Sequence, residues 1–143
     1  RCCGEPLCAE GDEVFLFPTP EQLCGLTEAQ LTGCGLGYRT RYIQHAAAQA
    51  AARTLDLDAL AVLPDNALFS RLLTLDGVGK KVANCVCLFG YGRTAMAPID
   101  VWIQRLIDEE FGGRDPFPAY GQQAGIVQQY LFYYKRSIST QKK

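Results

Sequence analysis

The segment Leu75-Asp76-Gly77-Val78-Gly79-Lys80-Lys81-Val82-Ala83-Asn84-Cys85-Val86-Cys87-Leu88-Phe89 constrains this chain more than any other. Two glycines flank one residue, so the backbone there can turn with φ > 0 and can be approached closely, since no Cβ stands in the way. The turn opens an apolar helix at about Lys80. Its bare N–H groups add to the positive end of the helix dipole, a combination that suits phosphate oxygens and is indifferent to base sequence. The expectation is a glycine hairpin between two helices, at about residues 72–90, that holds a nucleic-acid backbone through Gly77, Gly79 and Lys80.

Lys80 and Lys81 fall in the first helical turn, where two cations are opposed by the dipole, by each other and by any burial against Val82, Cys85 and Val86. Such an amine gives up its proton more readily, and nucleophilic catalysis by lysine requires the neutral amine. Asp100 stands 19 residues after Lys81, in Pro98-Ile99-Asp100-Val101-Trp102. A carboxylate near a sugar C1′ steadies the positive charge that builds as a base departs, or orients the attacking amine. Each element also has an ordinary structural reading. Most Gly-x-Gly turns only connect helices, a lysine pair can be a solvated surface pair, and Asp100 before Val-Trp-Ile-Gln is a natural helix N-cap. The cap is compatible with catalysis, and the conjunction of hairpin, lysine, spacing and aspartate favours attack on the sugar carbon of a nucleoside.

With these residues in place, the chain resembles the helix-hairpin-helix DNA glycosylases, and most closely the 8-oxoguanine DNA glycosylase/AP lyases of bacterial type, over nearly all of its length. Gly35-Leu36-Gly37-Tyr38-Arg39-Thr40-Arg41-Tyr42 is similar to that family's GLGYRxRY segment, and Ala124-Gly125-Ile126-Val127-Gln128-Gln129-Tyr130-Leu131-Phe132 to its last pocket helix. The resemblance implies that Lys81 is the Schiff-base nucleophile and Asp100 its carboxylate partner. It implies that Cys85 and Phe132 sandwich an extruded base, that Phe89 closes the pocket floor, and that Gln128 hydrogen-bonds the Watson–Crick edge. Tyr38 would wedge into the base stack and Arg39 would face the orphaned partner base. Trp102, where animal members carry histidine, joins the DNA-binding set. A base inside a duplex cannot be attacked in place, so flipping, stacking and edge recognition are what this chemistry needs. Without the resemblance, Cys85, Phe89 and Phe132 at helical spacing read as core.

Neighbouring branches differ in ways the sequence addresses. Endonuclease III-like and adenine-glycosylase-like members carry a four-cysteine iron–sulfur site beyond the aspartate, whereas no cysteine follows Cys87 here, so no cluster is expected. Alkyl-base glycosylases lack the hairpin lysine and only hydrolyse the N-glycosidic bond; Lys81 predicts an imine and strand cleavage as well. The resemblance also allows a structural cation at the hairpin, on the backbone carbonyls of Leu73, Leu75 and Val78. Two departures stand out. Asp76 replaces the family's usual proline and sets a carboxylate beside a loop meant to meet phosphate. The resemblance implies that the 143 residues, beginning at Arg1, are the C-terminal part of such an enzyme, whose β-rich N-terminal region is expected to lie upstream.

The expected fold is an all-α, partial helix-hairpin-helix glycosylase domain over residues 1–143. With 48% hydrophobic residues the chain can build one core, and no alternating strand run of useful length occurs. Thr19-Pro20-Glu21-Gln22 and Thr27-Glu28-Ala29-Gln30 fit capping boxes. Further helices are expected from Arg39 to about Leu55, from a cap at Asp65 to Leu73, from Lys80 to Phe89, from Asp100 to Phe111 and from Ala119 to Arg136. The net charge of −1 argues against a broad phosphate-binding face. Residues 1–30 hold six acids and one base, however, leaving thirteen bases against nine acids elsewhere, with clusters at Arg39/Arg41, Lys80/Lys81 and Lys135/Arg136. The seven cysteines include no Cys-x-x-Cys and meet a single histidine, His45, taken as ordinary surface or core; reduced thiols and no side-chain metal site are expected. No 18-residue apolar run or secretory signal occurs, so a monomer in the cytoplasm or nucleoid, acting on double-stranded DNA with a damaged purine, is expected. A non-catalytic helix-hairpin-helix module that only clamps DNA, and the same chemistry on another damaged base, are the alternatives.

Overall fold

The computed structural model describes residues 3–9 and 12–140. The chain divides into two compact units, one formed by Arg1–Val62 with Leu75–Gly77, the other by Leu63–Thr74 with Val78–Lys143.

The first unit opens with a hairpin of β1 (Pro6–Ala9) and β2 (Asp12–Phe15), antiparallel, with Leu7 opposite Val14. This departs from the expectation of no strands; at four residues each, the strands are too short for alternation to stand out. The rest of the unit is helical. Helices α1 (Pro20–Cys24) and α2 (Glu28–Gly33) start where their capping boxes place them. The Thr19 and Thr27 N–H groups each donate to a glutamine Oε1 at 2.9 Å, and each threonine hydroxyl accepts the N3 backbone N–H in return. Both helices pack on α3 (Thr40–Ala51), which follows a 3₁₀ turn at Gly37–Arg39. Helix α3 stops short of Leu55, because Arg53 adopts φ 55° and the Thr54 and Leu55 N–H groups both turn back to the Gln49 carbonyl. Glycine usually marks such an ending, and here an arginine takes the left-handed conformation. A further short helix, α4 (Leu57–Ala61), was not expected; Asp56 caps it by accepting from the Asp58 and Ala59 N–H groups at 3.0 and 2.9 Å. Leu31, Ala47, Leu55 and Leu60 form the buried apolar set of this unit.

The second unit carries α5 (Asp65–Leu72), α6 (Lys80–Cys85), α7 (Val101–Glu110) and α8 (Ala124–Thr140). Asp65 lies within the first turn of α5 and makes no cap hydrogen bond; Pro64 holds the cap position. The helix expected from Lys80 to Phe89 is α6 followed by a π-helical turn, Val86–Gly90, closed by the Tyr91 N–H on the Val86 carbonyl at 3.2 Å. Helix α7 buries Ile103, Leu106 and Ile107, the one-sided spacing that docks a surface helix. Helix α8 was expected from Ala119, but Phe117–Gln123 forms a 3₁₀ segment in which Gly121 takes φ 50°, ψ −123°, and the α-helix starts after it. Ile103, Ile107, Phe117 and Ala124 make the core, with Ala97, Ile99, Leu131 and Phe132 packed against it.

Two contacts fix α8 in this unit. Gly125 donates its N–H to the Thr94 carbonyl at 2.8 Å, and a Cβ placed on it would come within 2.4 Å of the Met96 carbonyl oxygen and 2.8 Å of Leu88 Cδ1. Farther along, the buried Lys135 ammonium is paired with Glu109 of α7. Lys135 is therefore tied up internally and does not join Arg136 in the outward basic cluster expected from the sequence. Among the described residues no helix is long and apolar enough to cross a membrane.

Gly125→Ala is expected to destabilise the protein by about 1–3 kcal/mol, because the methyl meets backbone carbonyls that cannot rotate away. Urea denaturation followed by circular dichroism measures this directly.

Candidate active site

Lys81 is the second residue of α6, whose N-cap is Gly79 in extended conformation. Asp100 is the N-cap of α7: one carboxylate oxygen accepts the Trp102 and Ile103 N–H groups at 3.0 and 2.9 Å. An aspartate held by two backbone donors keeps a single orientation. Lys81 and Asp100 line one cleft of about 140 Å³ with Cys85, Phe89, Pro98, Gln128, Gln129 and Phe132. Six side chains singled out in the sequence, on α6, its π turn, the start of α7 and α8, therefore meet in one place. Lys81 and Asp100 are both described residues, and no ion pair joins them directly. The same two residues also line a more open hollow with Ile99, Val101 and Gln104. The pair thus borders both the cleft and the more open hollow beside it.

Spacing explains the convergence. Lys81, Cys85 and Phe89 follow each other at four-residue intervals, as do Gln128 and Phe132, so each set lies along one helical face. Lys81 is exposed, so the burial anticipated for its amine is not seen. Phe89 is 64% exposed and stands at the mouth of the cleft, not at its floor. The π turn that contains it widens the helix at that point. Gln128 is only 2% exposed, and its Oε1 accepts a hydrogen bond from Gln129 Nε2. Pro98 and Gln129 were not anticipated as lining residues; neither lies on the four-residue spacing that marks the others. Cys87 is buried away from the cleft lining, and burial pushes its thiol up from the ordinary range, with Asp65 adding to the effect. The described cysteines are all free thiols.

Outside the cleft lining, the half-buried Trp102 has the guanidinium groups of Arg105 and Arg136 at 5.4 and 5.6 Å from its ring centroid. Arg136 also lies 5.9 Å from the Phe132 ring, at the edge of the cleft. Lys80 is exposed at the start of α6.

In the first unit, Tyr38 is 72% exposed, with Arg39 stacked 4.5 Å above its ring and Tyr42 meeting it edge-on at 6.4 Å. Gly77 has φ 77°, and a Cβ there would lie 2.4 Å from the Tyr42 ring, so both its conformation and its neighbour require glycine. Gly79 does not share the positive φ expected of it, and its Cβ position faces open space. Asp76, the carboxylate that departs from the family pattern, is bridged to His45 Nδ1 at 2.9 Å. His45 and Asp76 lie 31 residues apart, which is why no local pattern announced the pair.

With this geometry established, comparison with known proteins is decisive at the level of family. A model of the HhH-GPD superfamily base excision DNA repair proteins matches residues 4–120. The chain belongs to that superfamily. The match contains Lys81 and Asp100 and ends before α8. A probable N-glycosylase/DNA lyase of Methanothermobacter thermautotrophicus is 30% identical over 164 residues, covering 95% of this chain and 52% of the relative. The N-glycosylase/DNA lyase of Saccharomyces cerevisiae is 35% identical over 113 residues, covering 71% of this chain and 30% of the relative. Among solved structures, Clostridium acetobutylicum 8-oxoguanine glycosylase/lyase in complex with double-stranded DNA containing cytosine opposite 8-oxoG superposes with a TM-score of 0.87 at 29% identity, over 96% of this chain and 50% of that one. The chain spans about half, or less, of the length of the curated relatives it matches.

The two hairpin glycines are expected to respond differently to substitution. Gly77→Ala should lower stability by about 1–3 kcal/mol through strain and the clash with Tyr42, while Gly79→Ala should cost well under about 1 kcal/mol. Chemical denaturation of both variants checks the contrast.

Proposed function

We propose that this chain carries the base-excising centre of a DNA glycosylase with lyase activity that acts on 8-oxoguanine in duplex DNA. The observation that carries the reading is the meeting of an amine, a carboxylate, two aromatic rings, a thiol and a buried amide in one cleft, within a base excision repair superfamily. The names of the relatives, two glycosylase/lyases and one 8-oxoguanine glycosylase/lyase, support the choice of chemistry and lesion.

In this reading the damaged base leaves the stack and enters the cleft, where Phe132 and Cys85 cover its two faces and Gln128 reads its edge. The sugar then sits at the boundary between cleft and open hollow, where Lys81 and Asp100 stand. Unprotonated Lys81 Nζ attacks C1′, the C1′–N9 bond breaks, and the base departs with the bonding electrons and takes up a proton. Ring opening converts the new C–N bond to an imine. Loss of a C2′ proton expels the 3′ phosphate, and water then releases the amine. Asp100 stabilises the positive charge that grows on the sugar as the base leaves, from a position fixed by the start of α7. Tyr38, Arg39 and the hairpin with Gly77, Gly79 and Lys80 hold the duplex, and the Trp102, Arg105 and Arg136 cluster faces its backbone. Amine, carboxylate and pocket all belong to the chain, so the steps need no redox cofactor.

Borohydride reduction of the full-length protein with an 8-oxoguanine:cytosine duplex is expected to trap a covalent adduct that disappears in Lys81→Gln. Duplex binding without adduct in the unsubstituted protein would instead support a DNA clamp without catalysis. Asp100→Asn separates the two roles of that residue. Asparagine caps a helix about as well as aspartate, so thermal stability should hold, while excision falls by about 10²–10³-fold with the lost charge. Asp100→Ala should lose about 1 kcal/mol of stability as well.

A further inference from the structure

The bridge between His45 and Asp76 is open to water: the two side chains are 59% and 50% exposed, and an ion pair in that setting contributes little to stability. What it changes is the chemistry of the surface. An ionised carboxylate only accepts hydrogen bonds, so the imidazole nitrogen 2.9 Å from Asp76 Oδ2 directs its hydrogen there, and the second ring nitrogen is turned away from the carboxylate. Once the ring takes up a proton both nitrogens are donors, so the outward one carries an N–H whichever of the two it is.

The bridge adjoins groups already read as facing DNA. Tyr38, Tyr42 and His45 follow at intervals of four and three residues, so they lie along one side of α3 and of the turn before it. Tyr42 closes on Gly77, and Asp76 precedes Gly77 in the chain, so His45 stands beside the first half of the hairpin. Arg41 of the same helix hydrogen-bonds the Tyr42 hydroxyl at 2.8 Å; that bond pushes its guanidinium further up from the ordinary range, and the Asp76 charge adds to the effect. Arg39 lies over the Tyr38 ring. The two helices packed on α3 carry Glu21 and Glu28 in their first turns, and among the described residues neither is paired with His45.

We propose that His45, oriented by Asp76, is a phosphate-binding residue that holds the DNA backbone beside the hairpin while its imidazole is protonated and releases it when the ring loses that proton. The inference rests on the reading of the hairpin as the element that holds the duplex. Asp76 alone sets a negative charge next to Gly77 and opposes a phosphate there. Paired with an imidazolium it is neutralised, and the outward N–H of the ring becomes a charge-assisted donor to a phosphodiester oxygen. Because the form that binds phosphate is the protonated one, this contribution to affinity is present at low pH and is lost as pH rises through the titration of the ring.

Fluorescence anisotropy of the full-length protein on a labelled, undamaged duplex tests this, over a salt series at about pH 5.5 and about pH 8.5, between which histidine changes charge. His45→Gln keeps a donor for Asp76 but cannot become charged. The unsubstituted protein should lose about tenfold more affinity between the two pH values than this variant does, in line with one hydrogen bond to a charged group. At the lower pH the slope of log affinity against log salt should be shallower in His45→Gln by about one, as for one lost phosphate contact, and at the higher pH the two proteins should coincide. His45→Lys supplies a permanent charge and should bind at both pH values as the unsubstituted protein binds at the lower. Thermal melting identifies a variant that has failed to fold, and the other variant then carries the comparison. The same pH dependence in a folded variant as in the unsubstituted protein, or a salt slope that does not change in folded His45→Gln, overturns the proposal and leaves the glycosylase reading intact. Failure of the unsubstituted protein to bind the duplex at either pH overturns the reading of the hairpin as well, while the borohydride adduct still decides catalysis.

Discussion

The carboxylate of Asp100 is the point on which the site depends, because it does two things with one side chain. It closes the first turn of α7 through the Trp102 and Ile103 N–H groups, and it forms part of the wall that Lys81 also lines. A free carboxylate on a loop would sample several rotamers and would face the cavity only part of the time. As a helix cap it has little freedom, and the helix it caps is anchored by Ile103, Leu106 and Ile107 in the core. Pre-organisation of this kind is what electrostatic stabilisation of a developing charge requires, since a group that must reorient during the reaction spends its effect on reorganisation. Lys81 is delivered in a related way, one residue inside α6 and just after the extended Gly79. Both groups therefore come from helix starts, and each is placed to about one residue by local backbone geometry.

The opposite wall depends on packing. Gln128 and Phe132 lie on α8, and the depth at which α8 sits is set by Gly125 against the loop carbonyls of Thr94 and Met96 and by the Lys135–Glu109 pair with α7. Any side chain at position 125 would push the start of the helix outward and move the amide and ring that line the cleft. The buried ion pair is costly to desolvate, and its value is better understood as fixing the register of two helices than as a source of net stability. Leu131 and Phe132 then place one side of the cleft lining directly on the hydrophobic core.

How much of this was legible in the sequence follows from how local each signal is. The capping boxes at Thr19 and Thr27 and the Asp100 cap are written within four residues, and the helices begin where they say. The shared helical face of Lys81, Cys85 and Phe89 is equally local. That this face meets Gln128 and Phe132 is not a property of any window; it was available only through resemblance to a family. Features with weak or distant signals were missed. Helix α4 is too short for a hydrophobic stripe, the two strands are too short for alternation, and the π turn at Val86–Gly90 has no side-chain signature distinct from an α-helix. Arg53 ends α3 in a conformation normally marked by glycine. The His45–Asp76 bridge and the Lys135–Glu109 pair join residues 31 and 26 positions apart, and both altered the charge pattern inferred from the sequence.

Those two pairs change what the net charge means. Asp76 adds a negative charge beside the hairpin, yet its carboxylate is engaged by the His45 imidazole; Lys135 adds a positive one, yet its ammonium is buried against Glu109. Beside the exposed Lys80 and Lys81, the cations near the cleft are Arg105 and Arg136, which are exposed and lie against the Trp102 ring. Arg39 in the same way lies over Tyr38. A guanidinium stacked on an aromatic ring keeps its in-plane N–H donors available while its face is covered, so it can still bind a phosphate oxygen with less conformational freedom to lose. Each such pair, taken by itself, can bind a phosphate with fewer charges than a broad basic face would use. Near-neutrality of the chain is then a consequence of how its cations are mounted, and it does not count against a DNA substrate.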